Sequence, residues 1–195
     1  MDQLTALDTA RHEFERRLRE VQPADWDRPT PCEGWTVRDL VVHVLVGARM
    51  SALLVQGGSR AEAEALFVDA TLPDDVMSEF DAGADAQAAA FAEPGAMDRI
   101  TEHPAGDFPV PLLLGFRIGD WTVHSWDLAR AIGADETLPD ELVAHVWEGI
   151  EPLEPIFAAS GRFGEGASGA IGADGALQAR LLDATGRRPE ARSGS

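Results

Sequence analysis

The sequence predicts an all-α protein, a bundle of four main helices with short extra helices and a loop-rich C-terminal tail. Three observations carry this. Apolar residues recur at spacings of three and four through several long stretches. Cap, glycine and proline signals bound those stretches. Two-residue alternation is scarce, so strands are expected to be few or absent.

Residues 3–21 place Leu4, Leu7, Phe14, Leu18 and Val21 on one side of a first helix, and Pro23 ends it. Residues 22–35 are dense in turn formers and read as a connector. Thr36 with Asp39 three residues on has the form of a capping box. A helix follows to about Gln56, stopped by Gly57 and Gly58. Its β-branched run, LVVHVLV, has a buried strand as the alternative; the cap and the length favour helix. Residues 60–70 are expected to form a short helix and the Ala-rich 74–93 a longer one. Residues 94–111, with four prolines and two glycines, read as loop. A long helix then runs from Pro111 to its stop at Gly133. Residues 139–159 form another, with Pro152 and Pro155 expected to kink or shorten it. Residues 160–176 read as loop, a short helix follows, and the last five residues are expected to be disordered. The organisation is a bundle over 1–159 and, over 160–195, a loop and short terminal helix packed on it.

Composition narrows the function. With 34 acidic against 16 basic residues the net charge is −18. No basic stripe for nucleic acid is present, and anionic membranes are disfavoured. Every basic residue is Arg, and Tyr is absent too, so Lys Schiff-base and Tyr acid chemistry are excluded. The single Cys32 forms no internal disulfide, no stretch approaches a membrane span, and the charged N-terminus lacks the apolar core of a signal peptide. A cytoplasmic setting is expected.

Four of the five histidines follow an acid by four residues: Asp8/His12, Asp39/His43, Asp120/His124 and Glu141/His145. That is about one helical turn, so each pair shares a face. In so acidic a chain the spacing alone selects none. His12 lies among charges and reads as solvated, His103 as a loop residue, and His145 as a reserve ligand. His43 is flanked by apolar residues at 40–42 and 44–46. It is either a neutral core histidine bonded to a carbonyl or a metal ligand. On the later helix Arg117, Asp120, His124 and Asp127 fall within about 80° of one another. This charged stripe, on a helix otherwise apolar, is either its solvent edge or a face turned inward toward a cation.

Two blocks, TPCEGWTVRDLVVHVL and DWTVHSWDLARAIG, resemble the metal-binding domain of mycothiol-dependent maleylpyruvate isomerases. That domain belongs to the wider DinB-like group of helical bundles. RLLDATGRRP near the end resembles related actinobacterial chains. The resemblance implies a divalent metal, most often Zn2+, with Ni2+ or another transition metal as alternatives. It implies His43, Asp120 and His124 as ligands, and Asp127 then becomes a group that orients a histidine. The isomerase has Glu where this chain has Asp120, so the shorter acid must approach closer or bind through water. Three ligands leave an open position for water or a thiol, the pattern of a catalytic site. Arg117, Arg49 and Arg130 are candidates to meet an acidic substrate. The resemblance gives Cys32 no role. The isomerase also carries a C-terminal α/β domain that supplies a catalytic Arg, so a reaction other than maleylpyruvate isomerisation is expected here. The expected activity is a metal-dependent thiol (mycothiol-type) S-transferase or isomerase, with its catalytic residues unassigned. The alternative is a non-catalytic metal- or partner-binding bundle. A small-molecule thiol and an electrophile are the expected partners, with a homodimer left open.

Overall fold

The computed structural model describes residues 1–153 and 166–189. Four long helices form the bundle: α1 (Gln3–Leu18), α2 (Val37–Val55), α4 (Val76–Ala92) and α5 (Val110–Ile132). Around them lie α3 (Arg60–Ala65), α6 (Asp140–Ile150) and α7 (Leu177–Ala184), with 3-10 turns at Ala96–Asp98 and Glu151–Leu153. In the bundle, α1 packs on α5 and α4, and α2 packs on α4 and α5. Thus α1 and α2 sit across one diagonal. Helix α6 packs on α5 and α1, and α7 on α6. No helix among the described residues is long and apolar enough to cross a membrane.

Helix boundaries follow local chemistry. Thr36 and Asp39 make the reciprocal capping box at the start of α2, which settles LVVHVLV as helix. Pro111 sits in the first turn of α5, where its missing N–H costs nothing, and Gly133 closes the helix at φ +77°. The core is continuous from Phe14 through Phe80 to Trp121, whose rings meet at 5.7 Å spacings.

One expectation is corrected. The segment 94–111, read as loop, contains an antiparallel hairpin, β1 (Ile100–His103) and β2 (Gly106–Pro109). Pro104 in its turn and Gly106 and Pro109 in β2 are among the prolines and glycines that suggested loop. Helix α6 ends at Ile150 and gives way to the 3-10 turn that contains Pro152, so the proline shortens the helix. Pro155 and the tail expected to be disordered lie outside the described residues.

Close packing of α2 on α5 depends on Gly47. A Cβ there would fall 2.5 Å from Arg117 Nη1 and 2.9 Å from its Cζ. Arg117 is buried. A mid-helix glycine costs about 1 kcal/mol against alanine, so this one is kept for space, not for helix formation. At Gly83 on α4 a Cβ would meet Ala48 Cβ at 3.5 Å and Leu45 O at 4.0 Å, both ordinary contacts. Gly83→Ala should therefore hold or raise the melting temperature, whereas Gly47→Ala should lose about 1–3 kcal/mol despite its better propensity. Thermal melts of the two variants check this, and equal gains would contradict the packing assignment.

Candidate metal centre

His43 projects from α2, and Asp120 and His124 project from successive turns of α5. His43 Nε2 lies 3.0 Å from Asp120 Oδ1, and His124 Nε2 lies 3.5 Å from the same oxygen. Around a tetrahedral zinc with bonds of about 2.0–2.2 Å, donor atoms are about 3.3 Å apart. The two separations straddle that value, and all three donor atoms lie within 4.8 Å of one another. The donor set, two imidazoles and a carboxylate, suits zinc and its transition-metal neighbours. His43 keeps 29% of its side-chain exposure and Asp120 21%, so the cluster is reached from solvent. The histidine on the apolar helix is thus not fully buried, and its Nε2 faces a carboxylate.

Each group is held from behind. Asp120 Oδ2 accepts from Arg117 Nη1 at 3.1 Å, leaving Oδ1 for the histidines. Arg117 Nε donates to Gln87 Oε1, which also accepts from the Ser51 hydroxyl at 2.7 Å. Burial alone would raise the Asp120 pKa. Arg117, then His43 and His124, outweigh it and hold the carboxyl well below the usual range.

His124 Nδ1 donates to Asp127 Oδ2 at 2.8 Å. Asp127 is fully buried, yet Arg187 Nε and Nη2 donate to its two oxygens at 3.1 and 2.6 Å. Burial would raise its pKa; Arg187 and His124 outweigh that and bring it to about 2. An ionised carboxylate only accepts, so the proton on this bond belongs to His124 Nδ1. Nε2 is left to face Asp120 and His43. For His124 itself, burial favours the neutral ring, but Asp120, then Asp127 and Cys32, hold its pKa well above the ordinary value.

A second group of potential ligands, Cys32, His124 and Asp127, also clusters. Cys32 Sγ is 3.3 Å from Asp127 Oδ2 and 3.9 Å from His124 Nδ1. The Arg187 guanidinium already lies against it, with Nη2 3.3 Å from the sulfur. This group therefore already has a cation against two of its three members, Cys32 and Asp127. Cys32 and Arg187 were not selected by sequence reasoning. The blocks containing them were noted, but contacts spanning 60 and 155 residues leave no local signal.

The other arginine candidates are engaged elsewhere. Arg49 pairs with Glu79. Arg130 donates to both Glu136 oxygens and to Pro189 O, and lies over the Trp126 ring. Trp35 instead reaches the cluster, its ring 5.0 Å from that of His43 and 6.0 Å from that of His124. Phe67 stands 6.5 Å from the His43 ring. The reserve ligand His145 lies on α6 and joins neither donor group. His12 stays with Asp8, and His103 ends β1 with its ring against Phe108.

These charges set a pH profile for the metal-free protein. His124, whose pKa is raised above its ordinary 6.5, contributes stability that is complete below that value and lost as pH rises through the raised one. Asp127, at about 2 against an ordinary 3.8, contributes above 3.8 and loses the contribution as pH falls toward 2. That shift corresponds to about 2 kcal/mol. Melting temperature without metal should be highest between about pH 4 and 6.5 and fall on both sides. A melting temperature that climbs steadily from pH 6 to 9 would contradict the assigned protonation of His124.

Residues 7–129 match the family model described as the mycothiol maleylpyruvate isomerase N-terminal domain. Uncharacterised proteins from two strains of Mycobacterium tuberculosis, CDC 1551 and H37Rv, are each 32% identical over 146 residues, covering 73% of this chain and 74% of theirs. The crystal structure of the mycothiol-dependent maleylpyruvate isomerase superposes with a TM-score of 0.57 at 20% identity, and that of a histidine-to-alanine mutant of it with 0.61 at 21%. Each comparison covers 76% of this chain and 68% of the other. At that identity the structural likeness speaks for the fold, and it agrees with a mainly helical DinB-like bundle. The match over residues 7–129 places this chain in the mycothiol maleylpyruvate isomerase N-terminal domain family.

Proposed function

We propose that this protein is a divalent-metal-dependent thiol S-transferase or isomerase that uses mycothiol or a similar small thiol. His43, Asp120 and His124 are its metal ligands, and Asp127 orients His124. The observation that carries the reading is the convergence of His43 Nε2 and His124 Nε2 on Asp120 Oδ1, at 3.0 and 3.5 Å, with the cluster open to solvent on one side.

A bound zinc-type ion supplies positive charge at the open position, which favours thiolate over thiol at neutral pH. The chain's own residues prepare that position. Arg117 fixes which Asp120 oxygen is offered, and Asp127 fixes which His124 nitrogen is offered. Trp35 lies against both histidine rings, shedding water from one flank and leaving an apolar surface for a substrate. Phe67, 43% exposed, extends that apolar rim. Arg49 and Arg130 are engaged away from the cluster, and Arg117 serves Asp120. Substrate recognition therefore falls to the aromatic rim and the open position.

Purified protein should contain about one divalent ion per chain by elemental analysis, and His124→Ala should contain almost none. The metal-loaded wild type should consume mycothiol in the presence of a suitable electrophile from a small panel, and His124→Ala should not. An empty wild type that takes up no added zinc would sink the reading. Metal retention without thiol consumption across the panel would favour a non-catalytic metal-binding bundle instead.

A further inference from the structure

The C-terminal segment reaches the centre through one side chain. Helix α7 is anchored by Leu181 and Leu182, both fully buried. Its end is a Schellman-type turn: Gly186 has φ +79° and donates to Asp183 O, while Arg187 N–H donates to Leu182 O at 2.8 Å. This turn aims Arg187 back at α5. Its Nη1 donates to Thr185 O at 2.7 Å, and Nε and Nη2 grip the two oxygens of Asp127. Nη2 also contacts Cys32 Sγ, at the end of the connector that precedes α2. All three NH groups of the guanidinium are thus directed, and the side chain is only 11% exposed.

We propose that Arg187 is a positioning residue for the metal centre, delivered by a segment outside the family-matched residues 7–129. The proposal rests on the metal reading above. The geometry gives the route. Arg187 fixes the plane of the Asp127 carboxylate by a two-point contact, and that carboxylate in turn sets the His124 ring through Nδ1. Nε2 is thereby turned toward Asp120 and His43. A lysine would keep the charge but supply a single donor centre, so it would hold Asp127 without fixing its plane.

The test measures metal affinity, not turnover. Zn2+ dissociation constants from chelator competition and the visible spectrum of the Co2+-loaded protein are compared for wild type, R187A and R187K. Circular dichroism of each metal-free protein accompanies them. R187A should bind Zn2+ about 10- to 100-fold more weakly, with an altered Co2+ spectrum, and R187K should fall between the two. R187A with wild-type affinity and spectrum overturns the proposal. Should R187A fail to fold, R187K decides: wild-type affinity and spectrum overturn the proposal, and weakened binding with unchanged helicity supports it. A wild type that binds neither ion overturns the metal reading and this role together. Wild-type binding with unaffected Arg187 variants overturns this role alone.

Discussion

Two carboxylates on one helix are drawn into the bundle, Asp127 completely and Asp120 with 21% of its side chain still exposed, and the surrounding structure compensates them. Asp120 and Asp127 are seven residues apart on α5, two turns along one face. Neither could remain charged in a packed interior without a dedicated partner. Each has an arginine, and the two arginines come from different places. Arg117 lies on α5 itself, one turn before Asp120. Arg187 arrives from beyond α7. His124 sits between the carboxylates and touches both, one through each ring nitrogen. The imidazole is therefore fixed in tautomer and in direction by protein groups on both sides.

The packing of the bundle follows from this arrangement. Arg117 is too large for an ordinary helix interface, and Gly47 clears the space it needs. Gln87 on α4 caps the same guanidinium, and Ser51 on α2 ties Gln87 back. Three helices thus meet at one polar cluster inside an otherwise apolar core. Such a cluster adds little net stability but admits few alternative registers, because a slip of either helix would strand a charge. The relative setting of α2 and α5, and with it the distance from His43 to Asp120, is held by polar geometry as much as by apolar contact.

Much of this was legible in the sequence, and the missing parts share a cause. The helices of the bundle follow from periodicity and caps, since Thr36, Asp39 and Gly133 act within one turn of themselves. The charged stripe on α5 was legible as a stripe; which way it faced was not, because a lone helix has no outside. The hairpin was hidden because strands of four residues are too short to show a period and the segment carries Pro104, Gly106 and Pro109, which favour loops. Cys32 and Arg187 were hidden more deeply. The first is an ordinary turn residue and the second an ordinary basic residue after a helix. Their meeting at Asp127 depends on how α7 and the connector pack, which is information of long range.

The acid at the proposed ligand position bears on how such a centre would be tuned. An aspartate has one methylene less reach than a glutamate and fewer rotamers, so its oxygens are placed largely by the backbone. In this chain that constraint is met from two sides. Arg117 holds the far oxygen, and the close approach of α2, made possible at Gly47 one turn beyond His43, brings the second helix to the near one. A longer acid at 120 would have to fold back on itself or push α2 away, since Oδ1 already stands 3.0 Å from His43 Nε2. The short acid and the small residue one turn beyond the histidine are therefore coupled choices. Relaxing either alone would open the cluster, whereas changing both together could preserve it.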